Sequence, residues 1–198
     1  MTSICAVCRL RASDCICERL PKVEVPARFT IVRHHYEKHR QSNTGALAHS
    51  VLPNSCLVGF GDPGVTVDAE ALGGERRDVF VLCPIEGSST LDTDTVSDPS
   101  ETNLIVLDAS WRQARRMSRR IEGLRALPFL RLPPLEPSSW QLRRPSAPEM
   151  LTTIDAIAAA VEILGYADEA QQLRAAHELF ARSIRKHWAR YPNPGPRF

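Results

Sequence analysis

Three groups of residues in this chain combine types and spacing that can do chemistry. The first is Asp108-Ala109-Ser110-Trp111-Arg112, continuing through Arg115, Arg116, Arg119 and Arg120. It follows residues 103–107, a short apolar run rich in branched side chains, the pattern of a strand covered on both faces. Asp108 thus stands at the carboxyl end of a buried strand, where open α/β sheets place ligand chemistry. A carboxylate there can be partly desolvated and act as a general base or a positioning group, with nearby arginines setting its pKa. It can equally be a second cap for the helix that follows, and local sequence leaves the two open. Ser110 is the natural cap, since its hydroxyl can accept from an otherwise unpaired amide. Beyond it Trp111, Ala114, Met117 or Ser118 and Ile121 share one helical face, and the five arginines spread over the other. Such a basic run is by itself as often a solvated face as a site, but arginines beside an aromatic suit phosphates and unstacked bases.

The second group is Cys5, Cys8, Cys15 and Cys17, four of the chain's six cysteines. Zinc favours four tetrahedral thiolates, and a Cys-x2-Cys knuckle supplies two ligands from one tight turn. The closing Cys-x-Cys is tighter than a usual second knuckle. A tail of free, redox-labile thiols and an iron–sulfur cluster are the alternatives. The third group is Arg33-His34-His35-Tyr36-Glu37-Lys38-His39-Arg40, followed by Asn43-Thr44. Its histidines and Glu37 invite a metal reading, yet no fourth ligand is evident. Phosphate or RNA contact by Arg33, Lys38 and Arg40 fits the charge better.

These groups must be carried by strands and helices in alternation. Residues 28–33 read as a strand, and Asn43-Thr44 caps a helix through Ala46, Leu47, Ala48 and Val51. Residues 56–60 and 78–83 are further strands, joined by a Gly- and Asp-containing segment. Residues 84–89 form a small-residue loop. The acidic, Ser/Thr-rich run 90–102 is expected to be a solvated, variable loop without calcium-binding order. A strand at 128–132 leads into a Pro/Ser-rich loop, 133–148, carrying Trp140, Arg143 and Arg144. An Ala-rich helix runs from Leu151 to about Leu164, capped by Thr152 or Thr153 and stopped by Gly165. The last helix, 168–189, shows a core stripe of Leu173, Ala176, His177, Phe180, Ile184 and Trp188, with His177 and His187 structural. The alternation argues for a mostly parallel α/β sheet flanked by helices.

Length and composition agree with one domain and a small appendage: 198 residues, 43% apolar and 24% charged. The expected division is a Cys-rich segment over 1–20, a catalytic domain over 21–190 and a flexible tail over 191–198. A net charge of +2 selects no partner, but clustered arginine suits a polyanion. No apolar run reaches membrane-spanning length and no signal-peptide core opens the chain, so the expected location is the cytoplasm and no membrane partner is expected. Oligomeric state is not legible; a monomer is compatible. Gly-x-Gly-x-x-Gly, Walker and Gly-x-Ser-x-Gly motifs are missing. A cofactor would then be held by backbone loops at strand ends: 84–88, 108–111 and 151–156.

Asp108-Ala109-Ser110-Trp111 resembles the Asp-x-Thr-Trp core of the DTW-domain proteins, with Ser110 in the Thr place. The likeness extends through the cysteine pattern, His34-His35-Tyr36-Glu37 with Asn43-Thr44, Leu82-Cys83-Pro84, Trp111-Arg112-Gln113-Ala114-Arg115 and Arg144 with Leu151-Thr152-Thr153-Ile154-Asp155-Ala156. These blocks follow the family's order over nearly the whole chain. The resemblance implies a tRNA-uridine aminocarboxypropyltransferase, which moves the 3-amino-3-carboxypropyl (acp) group of S-adenosylmethionine to N3 of uridine and releases methylthioadenosine. It also implies a SPOUT-like fold with a C-terminal trefoil knot, which rests wholly on the resemblance. By the same likeness Asp108, Ser110 and Trp111 would be catalytic. Leu82, Pro84, Glu86, Gly87, Asp108, Leu151, Thr152, Thr153 and Ala156 would hold the donor. Arg33, His34, Glu37, Arg40, Asn43, Arg112, Arg115, Arg116, Arg119 and Arg144 would hold or support the RNA. Cys5, Cys8, Cys15 and Cys17 would bind a structural Zn2+. His35 departs from an expected Pro, and Asp155 from an expected Glu. A methyltransferase using the same donor and a non-catalytic zinc-containing RNA-binding module are the competing readings.

Overall fold

The computed structural model describes residues 3–73, 76–135 and 151–191. Its strands are β1 (Arg28–His34), β2 (Ser55–Phe60), β3 (Asp78–Leu82), β4 (Ser89–Thr90), β5 (Thr102–Asp108) and β6 (Phe129–Arg131). Its helices are α1 (Thr44–Val51), α2 (Ala69–Gly73), α3 (Trp111–Arg120), α4 (Thr153–Ile163) and α5 (Ala167–Arg190). The strands form one sheet in the order β2-β1-β5-β3-β6-β4, and every paired neighbour is parallel.

β5 lies between β1 and β3, with Ile105 opposite Thr30 on one side and Val81 on the other. All its residues are buried, which explains the unbroken branched run: neither face meets water. Leu104 and Val106 join Phe29, Ile31, Leu47, Ile154 and Phe180 on the face covered by α1, α4 and α5. Ile105 and Leu107 pack with Leu72, Ala114 and Met117 on the face covered by α2 and α3. Because the strands are parallel, their carboxyl ends share one edge. That edge carries Asp108, His34 and Pro84 together.

Several elements differ from expectation. The joining segment after β2 contains α2, too short to show a helical period. Asp68 Oδ1 accepts from the Ala71 amide at 2.7 Å, and the fully buried Asn103 amide donates to the carbonyls of Leu72 and Gly73 at the other end. The acidic run is not wholly solvated, since Leu91 and Val96 are buried in the core. Asp92 and Asp98 make its turns, accepting from the amides of Thr95 and Ser100. The stripe of α5 ends on buried His187, while Trp188 is half-buried and donates from Nε1 to Gln41.

The Cys-rich segment shares the main core, to which it contributes Cys8, Leu10 and Ile16. Asp14 ties it to α5, accepting from Arg190 at 2.8 Å and bonding His187 at 2.9 Å. The Arg11 guanidinium lies 3.6 Å over the Tyr191 ring. The expected knot depends on the chain path through 136–150, and the expected tail, 191–198, is described only at Tyr191. Residues 136–150, with Trp140, Arg143 and Arg144, and residues 192–198 lie outside the described residues.

Candidate active site and basic surface

Asp108 ends β5 opposite Arg33 of β1 and is 4% exposed. Asn43 Nδ2 donates to its Oδ2 at 2.6 Å, and Thr153 Oγ1 donates to its Oδ1 at 2.7 Å. Asn43 is also the cap of α1, its Oδ1 accepting from the Ala46 amide at 2.7 Å. The Thr153 amide donates to Thr44 Oγ1 at 3.2 Å. One carboxylate therefore laces the amino termini of α1 and α4 to the end of β5. Gly45 is the residue that permits this approach: a Cβ there would lie 2.4 Å from Asp108 Cγ. Both of these hydrogen bonds come from neutral groups.

Beside this knot of bonds lies a cavity of about 430 Å³. Leu82 and Pro84 supply one wall, Trp111 another, and Leu151, Thr152, Thr153 and Ala156 a third. The three loops expected to hold a cofactor thus converge. A fourth contribution escaped the sequence reading: Leu132 and the following prolines, where the chain leaves β6. Burial pushes the Cys83 thiol, also in the wall, up to about 11 against the pull of Arg115, so it is a neutral apolar surface at physiological pH. Glu86 lies instead in an adjoining cleft with Arg115 and Arg119, and Gly87 takes φ +83° in the turn towards β4. Asp108 is not among the residues lining the cavity; it supports the loops that do.

The amino terminus of α4 has a second support. Thr152 Oγ1 donates to Asp155 Oδ2 at 2.9 Å, and Asp155 Oδ1 bonds His177 Nδ1 of α5 at 2.7 Å. His177 is buried, so its structural reading holds, with a purpose that only the packing reveals. It buttresses a wall of the cavity from a helix distant in sequence.

On α3 the five arginines are exposed while Ala114, Met117 and Ser118 are buried. Ser110 starts the helix in a capping box, its side chain accepting from the Gln113 amide as expected, and its hydroxyl also lies 2.6 Å from Gln113 Oε1, to which it can donate. The same oxygen accepts from the Ser110 amide at 3.0 Å, so the Gln side chain satisfies the helix entry. The arginines line an open groove of about 610 Å³ with Trp111. Trp111 therefore borders both this groove and the cavity.

The third sequence group divides. Arg33, Arg40 and Asn43 line a separate cleft of about 220 Å³ facing the Cys-rich segment. Glu37 is buried against Arg40, 3.4 Å away. His34 is buried too, and its Nδ1 accepts from the Tyr36 amide at 3.3 Å. Burial holds His34 below the usual histidine range, helped by the charges of His35 and Arg116. His34, Glu37 and Asn43 are thus internal supports of the basic surface.

The family model of the DTW domain matches residues 2–185. The chain belongs to the DTW-domain family. Among solved structures, this DTW protein is similar to the SAM-dependent rRNA:acp-transferase Tsr3 from Vulcanisaeta distributa, at a TM-score of 0.55 and 23% identity, over 84% of this chain and 83% of that one. At that identity the likeness carries the fold, the α/β architecture expected to be SPOUT-like.

The DTW chain also assembles its cysteines. The Sγ atoms of Cys5, Cys8, Cys15 and Cys17 lie within 4.8 Å of one another, with Cys5–Cys17 at 3.6 Å and Cys8–Cys15 at 3.8 Å. A tetrahedral ion with bonds of about 2.3 Å sets its sulfurs about 3.8 Å apart, so the residues fit one. Burial raises Cys8 and Cys17, and neighbouring thiols add to the rise. Against its own burial, hydrogen bonds from the backbone of Cys8 and Val7 and from the Cys15 and Cys17 thiols bring Cys5 down to about 6. The cluster thus holds one ready thiolate, and a cation would favour the charged form of the others. Arg9, just after Cys8, takes φ 60° in the knuckle turn, a strained conformation for a side chain with a Cβ.

Proposed function

We propose that this protein transfers the acp group of S-adenosylmethionine to N3 of a uridine in tRNA, releasing methylthioadenosine. Membership of the DTW family supports this reading, and so does the fold shared with Tsr3, itself a SAM-dependent rRNA acp-transferase. The observation that carries it is Trp111, which borders both the loop-lined cavity and the arginine groove. A small donor and a polyanionic acceptor can therefore meet at one residue.

When bound, the donor would supply an activated carbon: N3, having released its weakly acidic proton to solvent water, would form the new N–C bond as the C–S bond breaks. The sulfur keeps the electron pair and leaves as a neutral thioether, so the transfer step itself requires no metal. Leu82, Pro84, Leu151 and Ala156 enclose the donor and exclude water. Trp111 orders the uridine at the mouth. Arg112, Arg115, Arg116 and Arg119 neutralise the RNA backbone, and the nearest of them stabilise the uridine anion. Asp108 acts as a positioning residue, fixing Thr153 and Asn43, and Ser110 fixes the start of α3. Zinc in the four-cysteine site is structural.

Incubation with tRNA and donor labelled separately in the methyl and carboxypropyl carbons tests the reaction. Carboxypropyl label in RNA, recovered as an N3-substituted uridine, is the expected result. Methyl label in RNA would establish the methyltransferase instead, and RNA binding without either label a non-catalytic module.

A further inference from the structure

The sequence reading gave no task to Tyr36, yet it is 60% exposed and the only Phe, Tyr or Trp in the exposed class among the described residues. A lone exposed tyrosine is ordinary; this one is held in a stack. Its ring lies 4.0 Å from the His35 ring and 5.3 Å from that of His34, the latter pair only 24° from parallel. His34 is in turn 4.6 Å from His35 and meets Phe60 edge-on at 6.1 Å. His35 is seated on Gly61, where an added Cβ would lie 2.9 Å from its ring. The buried His34 ring and the half-buried rings of His35 and Phe60 thus fix the plane of an exposed one.

The surroundings select the guest. The stack continues from the carboxyl end of β1, on the sheet edge that also carries Asp108. Arg33 precedes it, Lys38 follows it in an ion pair with Asp62 at 3.1 Å, and the charge of Arg116 on α3 reaches His34. A rigid aromatic face among guanidinium and ammonium groups suits a planar group on a polyanion better than an apolar protein surface. Building on the RNA-modifying function proposed above, we infer that Tyr36, backed by His35 and His34, is a stacking platform for an unpaired base of the RNA, separate from the base being modified. It holds the strand between the arginine groove of α3 and the cleft of Arg33 and Arg40.

Binding of a fluorescein-labelled oligouridylate, and of a duplex of equal length, to the full chain and its variants tests this platform. Tyr36→Ala should weaken single-strand binding roughly tenfold, the scale of one base–aromatic stack, with an unchanged salt slope and unchanged duplex binding. Tyr36→Phe should bind as the wild type does. Arg116→Ala should instead flatten the salt slope by roughly one ion. Wild-type affinity in Tyr36→Ala, or an equal loss on the duplex, would overturn the platform while leaving RNA modification intact. A wild-type chain that binds S-adenosylmethionine but neither RNA would overturn the parent reading together with the platform.

Discussion

A carboxylate only 4% exposed must find partners for its lone pairs inside the protein, and Asp108 finds Asn43 and Thr153. Each bond reaches a different helix start, so the side chain acts as a clasp. Asp108→Asn keeps the volume but turns an amide group towards one of these donors. Leaving a buried donor unsatisfied costs about 1–3 kcal/mol. The expected result is a lower melting temperature and at least a tenfold fall in turnover, with the shape of the wild-type pH–rate profile unchanged. Loss of the acidic limb of the pH–rate profile would instead make Asp108 the proton acceptor. The sequence located this residue correctly at a strand end but could not name its partners, because they lie 65 and 45 positions away.

Among the elements, α1 shows how tightly the helix starts are set. Gly45 lies in its first turn, where a Cβ would strike the Asp108 carboxylate at 2.4 Å. Gly45→Ala should therefore destabilise by roughly 2 kcal/mol, as overpacking of a closed site does, despite the better helix propensity of alanine. Thermal unfolding would show a drop of several degrees for a chain of this length; an unchanged or raised midpoint would refute the clasp. Helix α3, in contrast, was readable in full. Its apolar positions recur with the helical period, and its cap residue and arginines are local features.

At the scale of the molecule, the Cys-rich segment is part of the main core through Leu10 and Ile16 and is bound to α5 through Asp14. Metal analysis should return about one Zn2+ per chain. Its removal by a chelator should lower a single, shared thermal transition by about 5 °C or more, because ligation of the native state adds directly to its stability. A separate low-temperature transition would mean that the segment folds on its own. Unchanged melting and activity after complete metal removal would sink the structural assignment. No helix among the described residues is long and apolar enough to cross a membrane.

The sequence by itself determined the strand and helix alternation, the basic face of α3, the four thiols and the loops that meet at the cavity. Those are signals of period, capping and spacing, written within one element or one short stretch. Only the tertiary structure decided that Asp108 clasps two helices, that His177 supports a cavity wall, that α2 is held by Asn103, and that Tyr36 is a fixed ring. Each of these depends on contacts between residues far apart in the chain, and a hydrogen-bond partner or a close approach leaves no period in the sequence. Parallel strands bring such distant residues to a common edge, and the chemistry proposed for this protein lies along it.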